Sequence, residues 1–376
     1  MVLLILAAVA IGLSVGDNGI ITSARNATKQ WEEGAEKEQD ELKQIANFIN
    51  SHGNGNGASE SGNKIANAKP SPGEGVTTFD ETTELEDDLG NIVKVPSGFG
   101  IAEESGTKVE EGIVIEDDIG NQFVWIPVGE YKTTNSTKTN NLVRRSWEIS
   151  NGVAEPVEVA EGETIGTFNE GGAYYGEEDE RSLAKDQIEA FKTSANSNKG
   201  FYTGRYEQGK GNVCKAGVEV DSNISIRNAK SNAEAMYSEN VTGELISSYA
   251  WDTTLNFIAQ NNPNGYALLT TTDSQYGNIG TGIKKATGED EADNYCNIHD
   301  MVGNFSEWTT EYVWASDGDF GYSCVNRGGN YNNISTFADG TDNSRASSYM
   351  SDRAFSMGNV GNTNSSYIAY RVQLYL

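Results

Sequence analysis

The sequence has few of the residues that most catalytic and metal sites need. Its 376 residues include 3 cysteines (Cys214, Cys296, Cys324) and 2 histidines (His52, His299). This odd, widely spaced cysteine set matches neither a disulfide framework nor a zinc site, although Cys296 and Cys324 would pair if the fold brought them together. The sequence also lacks a nucleophile motif, which argues against acid–base and nucleophilic catalysis. We therefore expect a protein that is not an enzyme.

Basic residues are also scarce. The 27 Lys and Arg against 55 Asp and Glu give a formal net charge of −28. A chain this acidic lacks the basic patch that binds phosphate backbones, so nucleic acid is not an expected partner. Proline is rare, with 6 residues, whereas the 42 glycines are accompanied by abundant Asn and Ser. This composition is typical of a β-rich protein in an extracellular setting.

The N-terminal segment, residues 1–50, combines an apolar run with an amphipathic stretch. The run Val2–Val15 (VLLILAAVAIGLSV) has no charge, but it is shorter than the about 17–25 residues that span a bilayer. One explanation is that Met1 is an internal methionine. From Ile20 to Asn50 apolar residues recur at helical spacing between Glu and Lys residues. We therefore predict an apolar helix that continues into an amphipathic one.

This combination resembles the N-terminal segment of type IV pilin-like proteins of Gram-positive bacteria. The resemblance implies a bacterial cell-surface protein anchored in a membrane or pilus, with pilin subunits as partners. A plain single-helix membrane anchor is the alternative.

A change of composition separates this segment from the rest of the chain. Residues 51–77 (SHGNGNGASESGNKIANAKPSPGEGVT) are mostly Gly, Asn, Ser and Pro. Little in this stretch can be buried, so we predict a flexible linker. The folded domain is then expected over residues 78–376.

Two stretches of this domain match each other. Glu86–Pro96 reads EDDLGNIVKVP and Glu116–Pro127 reads EDDIGNQFVWIP. A DDxGN turn followed by alternating apolar residues predicts a β-hairpin, with Gly at the position that needs a positive φ. Leu245–Gln260 is predicted to be a helix because its apolar residues recur at helical spacing. Strands with a few inserted helices indicate the α+β class.

The most informative motifs lie near the C-terminus. Asn297–Tyr312 reads NIHDMVGNFSEWTTEY, Val325–Tyr331 reads VNRGGNY and Ala369–Leu376 reads AYRVQLYL. Their order and spacing resemble the formylglycine-generating enzyme, or sulfatase-modifying factor, family. The resemblance covers Gly112–Leu376 and implies an irregular α+β domain of the C-type lectin-like fold.

The resemblance also implies a structural calcium ion. The matching positions are the side chains of Asp300 and Glu307 and the carbonyls of Gly303 and Phe305. Hard oxygen ligands around a glycine turn are what calcium prefers. The alternative is that the two carboxylates only cap turns by hydrogen bonding.

Other family positions argue against catalysis. Catalytic members carry two copper-binding cysteines after the RGG motif, and this sequence has none there, so neither oxidase activity nor copper is expected. Arg327 and Arg371 are expected to be buried structural residues rather than ligand contacts. His299 is expected at the surface or in a turn.

Residues 327–371 form a candidate variable region. Asn, Ser and Tyr dominate the stretch Asn330–Tyr367, a mixture that adaptable binding loops use. Because it lies between the RGG and AYR motifs, it resembles the variable region of proteins diversified by diversity-generating retroelements. An ordinary Asn/Ser-rich loop of an invariant surface protein is the alternative. The expected ligand contacts are Tyr331, Asn332, Asn333, Ser335, Thr336, Asn343, Ser344, Asn359 and Asn362.

Together these observations suggest a surface-displayed adhesin or receptor that binds a protein or glycan ligand. The alternative is a structural minor pilin or pseudopilin subunit with a fixed C-terminal domain.

Overall fold

A six-stranded antiparallel sheet and a five-stranded mixed sheet organise the folded unit, which runs from Asn63 to Leu376. The computed structural model describes residues 63–151, 153–165, 168–170, 178–270, 276–314, 322–332, 354–356 and 366–376. The predicted N-terminal helix and the first part of the predicted linker lie outside these residues. Within the described ranges, none of the helices has the length and apolarity that a membrane span requires.

The described residues form more strand than helix. The helices are α1 (Ile65–Ala68), α2 (Glu178–Asn198), α3 (Ile226–Met236) and α4 (Ser248–Asn261), and short 3-10 turns cover Val109–Glu111, Gly265–Thr270 and Glu291–Asp293. The strands are β1 (Thr83–Glu86), β2 (Ile92–Val95), β3 (Phe99–Ile101), β4 (Val114–Asp117), β5 (Gln122–Pro127), β6 (Gly129–Lys132), β7 (Thr137–Asn140), β8 (Arg145–Ser150), β9 (Val153–Glu158), β10 (Phe168–Glu170), β11 (Gly200–Gly204), β12 (Thr242–Leu245), β13 (Ser306–Trp314), β14 (Tyr322–Arg327), β15 (Ala354–Ser356), β16 (Ile368–Tyr370) and β17 (Val372–Tyr375). The described part of the chain is therefore mixed α and β, mostly sheet with few helices.

The two large sheets are joined through the C-terminal strands. The six-stranded sheet has the order β12-β17-β11-β5-β4-β3, and the five-stranded sheet has the order β10-β13-β14-β15, with β16 paired to β13. Since β16 and β17 are separated only by Arg371, the chain passes from one sheet to the other at that residue. Helix α4 contacts β5 of the first sheet and β13 of the second.

Both predicted hairpins are confirmed. Strand β1 pairs antiparallel with β2, and β4 pairs antiparallel with β5. Gly90 and Gly120 have φ values of 82° and 87°, a conformation that glycine adopts without steric cost. In each turn the Asp carboxylate, from Asp87 or Asp117, accepts the N–H groups two and four residues further on at 2.7 to 3.1 Å.

The asparagine that ends each turn fixes a distant segment. The side-chain oxygen of Asn91 accepts the Lys132 N–H at 2.7 Å, and its amide donates to the Lys132 carbonyl at 2.9 Å. The side-chain oxygen of Asn121 accepts the N–H of buried Cys214 at 2.9 Å. The repeated motif therefore both forms a turn and holds a second strand or loop in place.

Residues 63–77, which the composition assigns to the linker, contact the folded domain instead. Ile65 is fully buried in the core. The Lys64 ammonium donates to the Glu86 carboxylate at 2.7 Å. A buried aliphatic side chain and an ion pair thus help to attach a segment that is otherwise mostly polar.

The predicted central helix is present with shifted ends. Helix α4 begins after Ser247, whose hydroxyl accepts the Ala250 N–H at 3.2 Å as an N-cap. Leu245, predicted as its first residue, belongs to β12. Trp251 and Leu255 are fully buried, in agreement with the helical spacing of the apolar residues.

Candidate binding site

Three sequence motifs lie side by side in the five-stranded sheet. The antiparallel pairing of β13 with β14 places Glu307 opposite Arg327, and the parallel pairing of β13 with β16 places Ser306 opposite Ile368. The GNFSEW, RGG and AYR motifs, which are far apart in sequence, are therefore neighbours in space.

The candidate variable region begins and ends at adjacent points of this sheet. The Tyr331 N–H donates to the Asn304 carbonyl at 2.9 Å, and the Ser306 N–H donates to the Tyr367 carbonyl at 3.0 Å. The rings of Tyr331 and Tyr367 lie 5.8 Å apart between centroids, and Phe305 packs on Tyr331 at 5.3 Å. Between these two ends, β15 pairs with β14. The stretch is thus held at its start, near its middle and at its end.

A neighbouring loop is held against the same point. The N–H groups of Gly280 and Gly282 donate to the carbonyls of Asn330 and Tyr331 at 3.2 and 2.8 Å. At the tip of this loop Ile283 is 66% exposed, although its carbonyl accepts the side-chain amide of Asn278 at 2.8 Å. The loop therefore presents an apolar side chain on a hydrogen-bonded backbone.

Sequence reasoning missed Ile283. It stands alone in a Gly/Thr/Lys stretch, and no local pattern marks it. We define Ile283, Tyr331, Asn332, Ser366 and Tyr367 as the rim. Of these, Tyr367 is 39% exposed and Tyr331 only 9%, whereas Asn332 and Ser366 are exposed.

Only two of the predicted ligand contacts fall on described residues. Tyr331 is largely buried against Phe305 and Tyr367, so most of its ring packs against the protein and little of it is available to a ligand. Asn332 is exposed, and its backbone N–H donates to the Asn330 side chain at 3.0 Å. The other predicted contacts lie outside the described residues: Asn333, Ser335, Thr336, Asn343, Ser344, Asn359 and Asn362.

A buried ion pair lies at the junction of the two sheets. Glu307 and Arg371 are both fully buried. The Arg371 Nη2 donates to Glu307 Oε1 at 2.6 Å, and Nε donates to both carboxylate oxygens at 3.0 and 3.1 Å. The same guanidinium donates to the carbonyls of Gly204 and His299 at 2.8 and 2.9 Å.

Other carboxyl groups surround this pair. Glu207 accepts the Asn304 side-chain amide at 2.7 Å and the Phe305 N–H at 2.8 Å. Asp300 accepts the Gly288 N–H at 2.7 Å. Buried Asp293 lies 3.8 Å from the His299 ring nitrogen Nδ1. These groups hold the turn that precedes β13.

Burial controls the ionisation of these groups. It raises the pKa of Asp300 to about 6 and that of Glu307 to about 7, although Arg371 opposes both shifts. Burial and the neighbouring Asp300 raise the pKa of Glu207 and Asp293 well above the usual range. Neutral carboxyl groups are therefore favoured at the positions that Arg371 does not neutralise.

Of the two positions predicted for His299, at the surface or in a turn, the surface position is wrong. The residue is buried rather than at the surface. Burial, with Arg205 and Arg371 nearby, lowers the pKa of His299 to about 4. The imidazole is therefore neutral near pH 7.

The expectation of buried structural arginines is confirmed. The fully buried Arg327 donates to Asp252 at 2.8 Å and to Glu311 at 3.2 Å. Its guanidinium also lies 5.6 Å from the centre of the Trp251 ring. Arg144 donates to the other oxygen of Glu311 at 3.0 Å. These contacts fix the RGG motif against α4 and β13.

Calcium binding by Asp300, Gly303, Phe305 and Glu307 stays a prediction, and one of these four residues already has another cationic partner. Both oxygens of Glu307 accept hydrogen bonds from Arg371. Across the described ranges, no three His, Cys, Asp or Glu side chains converge as a metal site would require. Gly303 and Asn304 do form the predicted turn, with φ values of 79° and 52°.

Cys296 and Cys324 do not form a disulfide with each other, and Cys214 is a buried thiol. Burial raises the pKa of Cys214 to about 11 and that of Cys296 to about 12. Neither thiol ionises near pH 7, and the thiolate is the reactive form.

Comparison with known proteins gives no match. No protein-family model, no curated protein and no solved structure matches this sequence.

Proposed function

We propose that this chain is a surface-displayed bacterial ligand-binding protein with a C-terminal domain of the C-type lectin-like fold. The candidate variable region, residues 327–371, supplies its binding surface, with the variable residues lying between the RGG and AYR motifs, and the ligand is a protein or a glycan. The observation that carries this proposal is the anchoring of both ends of the segment, Tyr331 on the turn at Asn304 that precedes β13 and Tyr367 on Ser306 at the start of β13. The resemblance of the NIHDMVGNFSEW, RGGN and AYR motifs supports the fold assignment.

Buried ion pairs support the role of the flanking motifs as a framework. Arg327 and Arg371, in the two motifs that flank the segment, each pair with buried carboxylates of other strands or helices. Removing one partner of a buried pair is strongly destabilising. The RGG and AYR motifs are therefore constrained by the core. The residues between these two fixed motifs can change without moving the motifs themselves.

The rim has the chemistry of a recognition surface. Ile283 and Tyr367 expose apolar area beside polar Asn332 and Ser366. Aromatic rings supply contact area at low entropic cost, and short polar side chains supply adaptable hydrogen bonds. Non-covalent binding needs no catalytic group, which agrees with the scarcity of histidine and reactive cysteine.

A loop-replacement experiment tests this function. Cells displaying the full chain are compared with cells in which residues 333–353 are replaced by a Gly/Ser sequence of equal length. Both are applied to an array of glycans and extracellular proteins, and filaments are examined by electron microscopy. We expect at least one array component to retain only the unaltered cells, with filaments unchanged. Equal retention of both cell types would contradict the proposal, and loss of filaments would favour the minor pilin alternative.

A further inference from the structure

We infer that residues 63–79, here called the strap, form a releasable segment, which tension from the N-terminal side detaches while the rest of the domain stays folded. The release itself concerns only the contacts of the strap with the domain. Its use, as a reserve of length between a surface anchor and the binding site, rests on the proposed function.

The strap is attached to the domain at its two ends. At the first end the Asn63 carbonyl accepts the Glu86 N–H at 2.7 Å, and Ile65 is fully buried in the core. At the second end the Phe79 N–H donates to the Phe99 carbonyl at 2.9 Å. This bond joins the strap to β3, the strand at one edge of the six-stranded sheet.

The strap contributes little to the core. Ile65 is the only one of its 17 residues that is buried, and residues 71–75 are all exposed. Ala68 and Phe79 are partly buried against the core, which is otherwise built from residues that follow the strap. Segments with few buried apolar contacts open at a lower free energy than the core of a domain. The core can therefore persist when the strap leaves.

A glycine of β3 leaves room for the strap. A Cβ at Gly100 would overlap the Thr77 carbonyl oxygen and crowd the Val76 side chain. The φ of Gly100 lies outside the left-handed region, so the close approach of the strap, and not the local backbone conformation, favours glycine here. The strap therefore has a specific position on β3, to which it can return when the tension falls.

Tension from the N-terminal side reaches the contacts of the strap one after another. The bond at Glu86 and the buried Ile65 carry the load first. Next is the Gly73 N–H, which donates to the Glu103 carboxylate at 3.1 Å, and the bond between Phe79 and β3 comes last. Contacts that carry a load in turn yield at lower force than paired strands that share it. Complete release adds at most about 60 Å of extended chain.

The test stretches the purified full-length chain between handles at its two termini in optical tweezers. We expect a step of at most about 60 Å in contour length, at lower force than the steps that unfold the domain. Release of the strap only together with the domain, in a single step, would overturn the inference. The measurement contains no ligand, so this outcome leaves the proposed function unaffected. Equal retention of both cell types in the loop-replacement experiment would reject the proposed function without bearing on the release.

Two pairs of variants assign this low-force step to the strap. Ile65→Asp places a charge at the buried residue, whereas Ala66→Asp places it at the exposed neighbour. Gly100→Ala fills the space that the Thr77 carbonyl occupies, whereas Gly75→Ala adds a Cβ with nothing within 4 Å.

The low-force step should be shortened or lost in Ile65→Asp and Gly100→Ala and unchanged in the two controls, with the domain-unfolding steps present in all four variants. A low-force step of unchanged length in Ile65→Asp would contradict the inference. If Ile65→Asp does not fold, the stretching of the unaltered chain still decides.

Discussion

Replacing Glu244 by glutamine should change how the stability of the domain depends on pH. Glu244 is 8% exposed, and its carboxylate accepts the Tyr375 hydroxyl at 2.9 Å and the Gln373 amide at 3.3 Å. Burial raises the pKa of Glu244 from its ordinary 4.5 to about 7, while these hydrogen bonds oppose the shift. The folded protein therefore keeps a proton that the unfolded chain releases.

The sign and size of the effect follow from this shift. Because the pKa is higher in the folded state, the stabilising contribution is complete below about pH 4.5 and is lost as the pH rises to about 7. The displacement of the pKa corresponds to about 3 kcal/mol of free energy of unfolding. Glutamine cannot ionise, so Glu244→Gln lacks this loss.

The assay is urea unfolding of both proteins at several pH values between pH 4 and pH 8, roughly the window set by these pKa values. The free energy of unfolding of Glu244→Gln, minus that of the unaltered chain, should rise by about 3 kcal/mol across this range. Any pH-independent cost of losing the Gln373 hydrogen bond shifts this difference equally at every pH, so it does not contribute to the rise. Tyr375→Phe removes a donor that lowers the Glu244 pKa, so it should move the midpoint of the loss to higher pH. A difference that stays constant with pH would refute the reasoning.

Three further predictions follow from single contacts. Trp308→Ala should lower the free energy of unfolding by about 3–5 kcal/mol, because it leaves a cavity in the core and removes the Nε1 hydrogen bond to the Ile224 carbonyl. Urea unfolding measures this loss, and a value below about 1 kcal/mol would contradict the prediction. Asn121→Ala should cost about 1–3 kcal/mol, because it leaves the buried Cys214 N–H without its acceptor. Asn91→Ala is its matched control, and it should cost less because its Lys132 contact is exposed; equal losses would show that burial is not the cause. Ile283→Asp should leave the Tm unchanged but abolish the retention of displaying cells by any array component that binds the full chain. Ile119→Asp, at a similarly exposed isoleucine outside the rim, should change neither the Tm nor the retention. Loss of binding in both variants would indicate a non-specific effect of charge.

Local sequence predicts the parts of this fold that depend on neighbouring residues. The DDxGN hairpins are predictable because the Asp, Gly and Asn of each turn act within five residues. The α4 helix is predictable because its buried residues repeat at helical spacing. The first residue of α4 is less predictable, because Leu245 pairs with Val372 of β17 instead. This pairing with a distant strand overrides the local apolar pattern.

The parts that depend on distant residues were not predictable in detail. Nothing near Arg371 in the sequence shows that it meets Glu307, Gly204 and His299. Similarly, Ile65 lies in a mostly polar stretch without an apolar pattern, and its burial depends on strands that follow it. The candidate binding site could be predicted in part, since the motifs locate the ends of the variable region but not the adjacent Ile283 loop.

The central claim is that a variable binding segment is held between fixed framework motifs. Deep sequencing of codons 327–371 from a population of the source organism tests it most directly. Because the mutagenesis of diversity-generating retroelements acts on adenines, the account predicts substitutions confined to adenine-bearing codons between Tyr331 and Tyr367, with Arg327–Gly329 and Ala369–Arg371 unchanged. An invariant stretch would contradict the account and leave a fixed adhesin or a pilin subunit.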